Sequence, residues 1–182
     1  MAPRMAPLPP DEQDERTREM LDTLRPDPGG PDLNIFATFA RHPRLLRRWS
    51  QFGGTLLSGD LDPRDREILI LRTAWSCQAE YEWGQHVVIG KQAGVTEAEI
   101  LACTRPMAEG GWREHDQALL RAADDLHAES RLSDRTWEML AGRLTEAQLI
   151  EVCMVVGQYH LVAFTLNSLG VEREPGVAGF PH

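Results

Sequence analysis

With 182 residues the chain is long enough for one sizeable hydrophobic core and short for two, so a single domain is expected. Its 28 Asp and Glu against 19 Lys and Arg leave a net charge of -9, which repels phosphate backbones and anionic lipid and argues against nucleic acid or a membrane as partner. No apolar run approaches the roughly 20 residues of a bilayer span, and MAPRMAPLPP lacks the apolar centre of a secretory signal, so a cytoplasmic location is expected.

In chain order, residues 1–10 are rich in Pro and Ala and read as a flexible tail, as does 175–182 at the other end. One helical domain is expected between them, over 11–174. Charged residues at helical spacing predict a helix from about Asp11 to Thr23, and the Pro/Gly stretch from Pro26 to Pro31 must be a loop. Asn34 suits the cap of a short helix ending near His42, because Pro43 disfavours helical geometry in the residue before it. A further helix then runs from about Pro43 to Leu57.

Asp62 followed by Pro63 is a helix-start signal. The run Ile68, Leu69, Ile70, Leu71 could be a strand by composition. The pattern extends to about Trp75 without a turn or alternation, and that length decides for a buried helix. The next helix should open near Cys77 to Ala79 and close at Gly94, a residue suited to a left-handed cap. Thr96 with Glu99, and Thr145 with Gln148, have capping-box spacing. They predict helices over about Glu97 to Cys103 and from Thr145 to Leu169. Between them, helices fit Glu114 to Glu129 and Asp134 to Ala141, the latter capped by Ser133. No segment demands a sheet, and the fold class is all-α. A weak internal echo, LDPRDREILI against LTEAQLIEVCM, each followed by a Gly-Gln pair, is compatible with two related helical hairpins.

Cys77, Cys103 and Cys153 are odd in number and widely spaced, which suggests neither a disulfide framework nor a zinc knuckle. The histidines include no His-x-x-x-His pair, and no Gly-rich phosphate loop follows a strand-like run. Neither a metal nor another cofactor is therefore expected. Candidate chemistry lies in two polar clusters within apolar helices, where an unpaired charge is costly. One is Glu67, at the head of the ILIL run. The other is AEYEWGQH, where Glu82 and His86 are four apart and share a helix face beside Tyr81 and Trp83. A carboxylate next to an imidazole on a partly apolar face can move a proton near neutral pH. The same spacing also describes a solvated Glu–His pair, and Glu67 could simply favour its helix dipole.

The stretch LDPRDREILILRTAWSCQAEYEWGQHVVIGKQAGVTEAEI, from Leu61 to Ile100, resembles the core of the carboxymuconolactone decarboxylase family, whose superfamily includes the alkylhydroperoxidase D-like thiol proteins. The likeness continues more loosely through RHPRLLRRW and VVGQYHLVAFTLNSLGV. It implies an alkylhydroperoxidase D-like helical bundle. In thiol-active relatives the second helix opens with Cys-x-x-Cys, His follows the second Cys by four, and a Glu one helix earlier completes a proton relay. Anchored on His86, this places Ala79 and Glu82 at the two Cys positions and Glu67 at the relay Glu. Both family cysteines are thus absent, and Cys77 is displaced by about 200° around a helix from the first position.

The resemblance therefore implies cofactor-independent acid/base chemistry on a small organic acid or lactone. His86 would be the acid/base, Glu82 or Glu67 its relay, and Tyr81 an oxyanion donor. Trp83, Tyr159 and His160 are further candidates for the same pocket, and Arg72 is a candidate receiver of a substrate carboxylate. The alternatives are a peroxidase or thiol-disulfide activity through Cys77, and a non-enzymatic binding or assembly module. A disulfide cycle needs two thiols whose alpha carbons lie within about 7 Å, and this segment supplies one. The family also implies a homo-oligomer, for which the five Trp could supply an interface.

Overall fold

The computed structural model describes residues 3–181. Met1, Ala2 and His182, which belong to the expected tails, lie outside the described residues. Nine α-helices and no strand are found among the described residues: α1 (Glu15–Leu24), α2 (Asn34–Phe39), α3 (Pro43–Leu57), α4 (Pro63–Ser76), α5 (Glu80–Gln92), α6 (Glu97–Ala102), α7 (Glu114–Glu129), α8 (Asp134–Ala141) and α9 (Glu146–Leu169).

The centre of the bundle is α4, packed against α5, α7 and α9. Residues 65–71 are all buried, and Ile68, Leu69, Ile70 and Leu71 are completely so. A helix enclosed on every side needs no apolar stripe, which is why its sequence reads as an unbroken run. Burying each of these side chains stabilises the fold by about 1.5–3 kcal/mol. The α4–α5 hairpin is antiparallel. Trp75 and Trp83 meet near the turn with ring centroids 6.2 Å apart. At the far end, Gly90 of α5 lies against Glu67 and Leu71 of α4. A Cβ on Gly90 would come within 3.4 Å of Leu71 and 3.6 Å of the Glu67 Cβ, so the glycine permits close approach of the two helices.

Most helix ends follow the capping signals. Thr96–Glu99 and Thr145–Gln148 form complete capping boxes. Ser133 accepts from Thr136 N–H and Asp62 from Arg64 N–H. Gly94 and Gly170 take positive φ beyond the ends of α5 and α9. Each side-chain cap contributes about 1 kcal/mol.

The N-terminal region departs from the expectation. Pro10–Glu12 is a 3-10 turn, and α1 starts only at Glu15 because Asp14 caps it through Thr17 N–H. Asn34 is the first residue of α2, not its cap. Its side chain donates to the Glu172 carbonyl instead. Arg4 N–H donates to the Leu169 carbonyl and Leu8 N–H to that of Ala37, while Phe180 packs edge-on against Trp75 at 5.1 Å.

Two further expectations change. The internal echo does not produce matching hairpins, since its first copy spans α4 and α5 whereas its second lies along α9 alone. And α9, at 24 residues, is long and apolar enough by composition to cross a membrane. It packs on α3, α4, α5, α7 and α8 and half of its apolar window is buried in the bundle, as in a core helix.

Candidate active site

The N-terminal half of α4 and the middle of α5 bring together the three residues singled out in sequence. His86 Nδ1 lies 2.6 Å from Glu67 Oε2, and His86 Nε2 lies 3.1 Å from Glu82 Oε1. The imidazole is thus clasped between two carboxylates. A fourth group, which sequence reasoning missed, completes the set: Arg66 Nε donates to Glu67 Oε1 at 3.1 Å and Arg66 Nη1 to the Leu57 carbonyl at 2.7 Å. An arginine inside an apolar helical run, next to a carboxylate, was the available signal. All four are buried, with Glu67 0%, Glu82 4% and His86 5% exposed.

The electrostatics follow from the charge count. With His86 protonated, two cations face two carboxylates, whereas a neutral imidazole would leave a buried negative charge uncompensated. Burial by itself disfavours the imidazolium, but the charges and hydrogen bonds of Glu67 and Glu82 outweigh it and raise the His86 pKa to about 10. Burial also works against an ionised Glu67. The His86 and Arg66 charges overcome that penalty and hold its carboxyl below the ordinary value.

Beside this chain lies a cavity of about 340 Å³, whose walls include Glu82, His86, Gln85 and Gln158 together with Trp49, Phe36, Ile35, Ile89 and Tyr159. Tyr159 stands edge-on to the imidazole, with centroids 4.9 Å apart. The far wall comes from α1, α2 and α3. No motif pointed to those helices as part of the site. None of the described residues lining the cavity is Arg or Lys.

Tyr81 lines the cavity, but its hydroxyl is already engaged. It donates to Glu174 Oε1 at 2.7 Å and accepts from Ile35 N–H at 3.2 Å. Glu174, near the C-terminus, also accepts from Gln85 Nε2 and from Asn34 N–H. It thereby ties α2 and α5 together over the cavity. Burial, then the Glu174 carboxylate, push the Tyr81 phenol far above its usual range.

Four candidates lie elsewhere. Trp83 points into the core, against Trp75 and Phe180, because it is one position off the Glu82–His86 face. Arg72 grips Asp124 at 2.7 Å and the carbonyls of Cys103 and Arg105, so it is not available to a substrate. Cys77 caps the C-terminal end of α4, whereas Glu67 lies near its start; it meets His127 at 3.8 Å, and burial raises its thiol pKa to about 11. His160 bonds the Val156 carbonyl and His127. All three cysteines are free thiols, Cys103 buried and Cys153 exposed. The fold brings Cys77, His127 and His160 together, a grouping that no local spacing reveals.

Residues 43–125 match the carboxymuconolactone decarboxylase family. No curated protein gives a significant match. Among solved structures, the AhpD core of an uncharacterised peroxidase-related protein from Ralstonia eutropha JMP134 superposes with a TM-score of 0.81 at 16% identity, covering 94% of this chain and 93% of that one. The debrominase Bmp8 in complex with 2,3,4-tribromopyrrole gives 0.79 at 14% identity, with 96% and 94% covered. An uncharacterised peroxidase-related protein from Silicibacter sp. TM1040 gives 0.78 at 13% identity, with 96% and 91% covered. The chain thus carries a match to the carboxymuconolactone decarboxylase family over residues 43–125 and shares the fold of alkylhydroperoxidase D-like structures along its length.

Proposed function

We propose that this protein is an enzyme of the carboxymuconolactone decarboxylase type, performing acid/base chemistry on a small, mostly apolar lactone. The observation that carries this reading is the Arg66–Glu67–His86–Glu82 chain ending at the wall of an apolar cavity. A cavity of about 340 Å³ suits a small molecule. A lactone mono-acid fits its lining better than a di-acid, because His86 is the one cationic side chain among the described residues that line it. Loss of carbon dioxide from a lactone acid leaves the electron pair on an enolate. Protonation at carbon then consumes a proton, which His86 supplies, directly or through Glu82; His86 regains a proton from solvent, and Glu67 compensates the imidazolium before transfer and favours its return afterwards.

Thiol chemistry fits less well. Cys77 is not among the cavity-lining residues, its thiol is held protonated, and it faces histidines, not a second cysteine. The test is purified protein assayed with a panel of lactone acids and, separately, with peroxide plus a dithiol. Glu82→Gln is expected to lower lactone turnover by about 100- to 10,000-fold, with Cys77→Ser active as wild type. A peroxide-dependent activity that Cys77→Ser abolishes and Glu82→Gln spares would overturn the reading.

A further inference from the structure

Outside the cavity, the ends and crossings of α4, α7 and α9 gather three good metal ligands. Cys77 Sγ lies 3.8 Å from His127 Nδ1, and His127 Nδ1 lies 2.9 Å from His160 Nε2. All three atoms fall within 4.8 Å of one another. A tetrahedral zinc ion, with bonds of about 2.3 Å to sulfur and 2.0–2.1 Å to nitrogen, requires ligand-to-ligand separations of about 3.3–3.6 Å. The Cys77–His127 and His127–His160 distances lie on either side of that range and the third separation is at most 4.8 Å, so side-chain shifts of about an ångström would close a site.

The surroundings also hold the ligands for such a role. His160 Nδ1 donates to the Val156 carbonyl at 2.8 Å, which fixes the tautomer and leaves the Nε2 lone pair facing the cluster, the second-shell arrangement common to metal-bound imidazoles. Cys77 is fixed at the end of α4 by its N–H to the Thr73 carbonyl at 2.9 Å, and its own carbonyl accepts from Asn167 Nδ2 at 2.9 Å. The Phe164 ring stands edge-on to His160 at 5.8 Å. Each ligand comes from a different packed helix, so the backbone sets the geometry. His127 is exposed and the other two are half-buried, which gives an ion access and leaves a fourth position toward solvent.

We infer that Cys77, His127 and His160 form a binding site for a zinc-class divalent transition-metal ion, separate from the Glu67–His86–Glu82 cavity. One thiolate and two imidazoles make a borderline-soft donor set that favours zinc over magnesium or calcium, which take oxygen ligands. The thiol proton leaves to solvent as the Cys77–metal bond forms.

The experiment is calorimetric titration of the full-length, metal-stripped protein with Zn²⁺, and absorption spectroscopy with Co²⁺ as the probe. One equivalent is expected to bind, with a thiolate-to-cobalt charge-transfer band. Cys77→Ser should remove the band and Cys153→Ser should leave it intact. His127→Ala, at an exposed position, should keep wild-type helicity while weakening Zn²⁺ affinity by about tenfold or more. Absence of stoichiometric binding, cobalt binding without the thiolate band, or a band that survives Cys77→Ser would each overturn the assignment.

Discussion

Replacing Glu67 by Gln keeps the shape of a fully buried side chain and removes the charge on which the imidazolium of His86 depends. At a separation of about 4 Å and an effective dielectric of about 20, two unit charges interact by about 4 kcal/mol. Breaking a buried pair typically costs about 3–5 kcal/mol, so the two figures agree. For a chain of this length each kcal/mol lowers the melting temperature by roughly 2–4 °C, giving a loss of roughly 6–20 °C.

The pH dependence has a definite sign. His86, raised from 6.5 to about 10, contributes stability that is complete below 6.5 and is lost as pH climbs through 10. Glu67, held below 4.5, contributes stability that is present above 4.5 and lost as pH falls through its lowered value. The gap between wild type and Glu67→Gln should therefore be widest between 4.5 and 6.5 and narrow toward 10. Urea unfolding followed by circular dichroism, at about pH 5.5, 7.5 and 9.5, reads this directly. A pH-independent gap, or one below about 1 kcal/mol as for an exposed pair, would refute the reasoning.

Glu174→Ala removes the acceptor shared by Tyr81, Gln85 and Asn34 N–H. Amide exchange in α2 and the start of α5 should then speed up by about tenfold or more, and the Tyr81 phenol should titrate lower; unchanged exchange would show that Glu174 does not hold this wall. Self-association is expected through the outer face of α9, where Ile150, Met154, Leu161 and Phe164 are exposed. Phe164→Asp should shift light scattering toward the monomer, and a wild type that is already monomeric at micromolar concentration ends that proposal.

The five tryptophans divide between core and surface. Trp83 and Trp112 are core residues, Trp75 and Trp49 are partly buried, and Trp137 is the one of the five with an exposed ring. A count of aromatic residues carries no information about the side of the helix on which each ring falls.

Helix existence and type were legible in the sequence because they depend on nearby residues. Proline at the start of α3 and α4, the two capping boxes, Ser133, and glycine after α5 and α9 act within one turn, and the chain obeys them in the structure. So was the Glu82–His86 pair, since four-residue spacing on a helix is local geometry. Glu67 required the family resemblance, because its 19-residue separation from His86 is bridged only when α4 and α5 fold back on each other. The rest was decided by packing. Whether a residue one position along faces the cavity or the core separates Glu82 from Trp83. Arg72 found Asp124 across 52 residues. Glu174 reached Tyr81 from 93 residues away, and three ligands on three helices met where no motif joins them. Such contacts depend on helix rotation and crossing, which the burial of the whole core fixes and no single segment encodes.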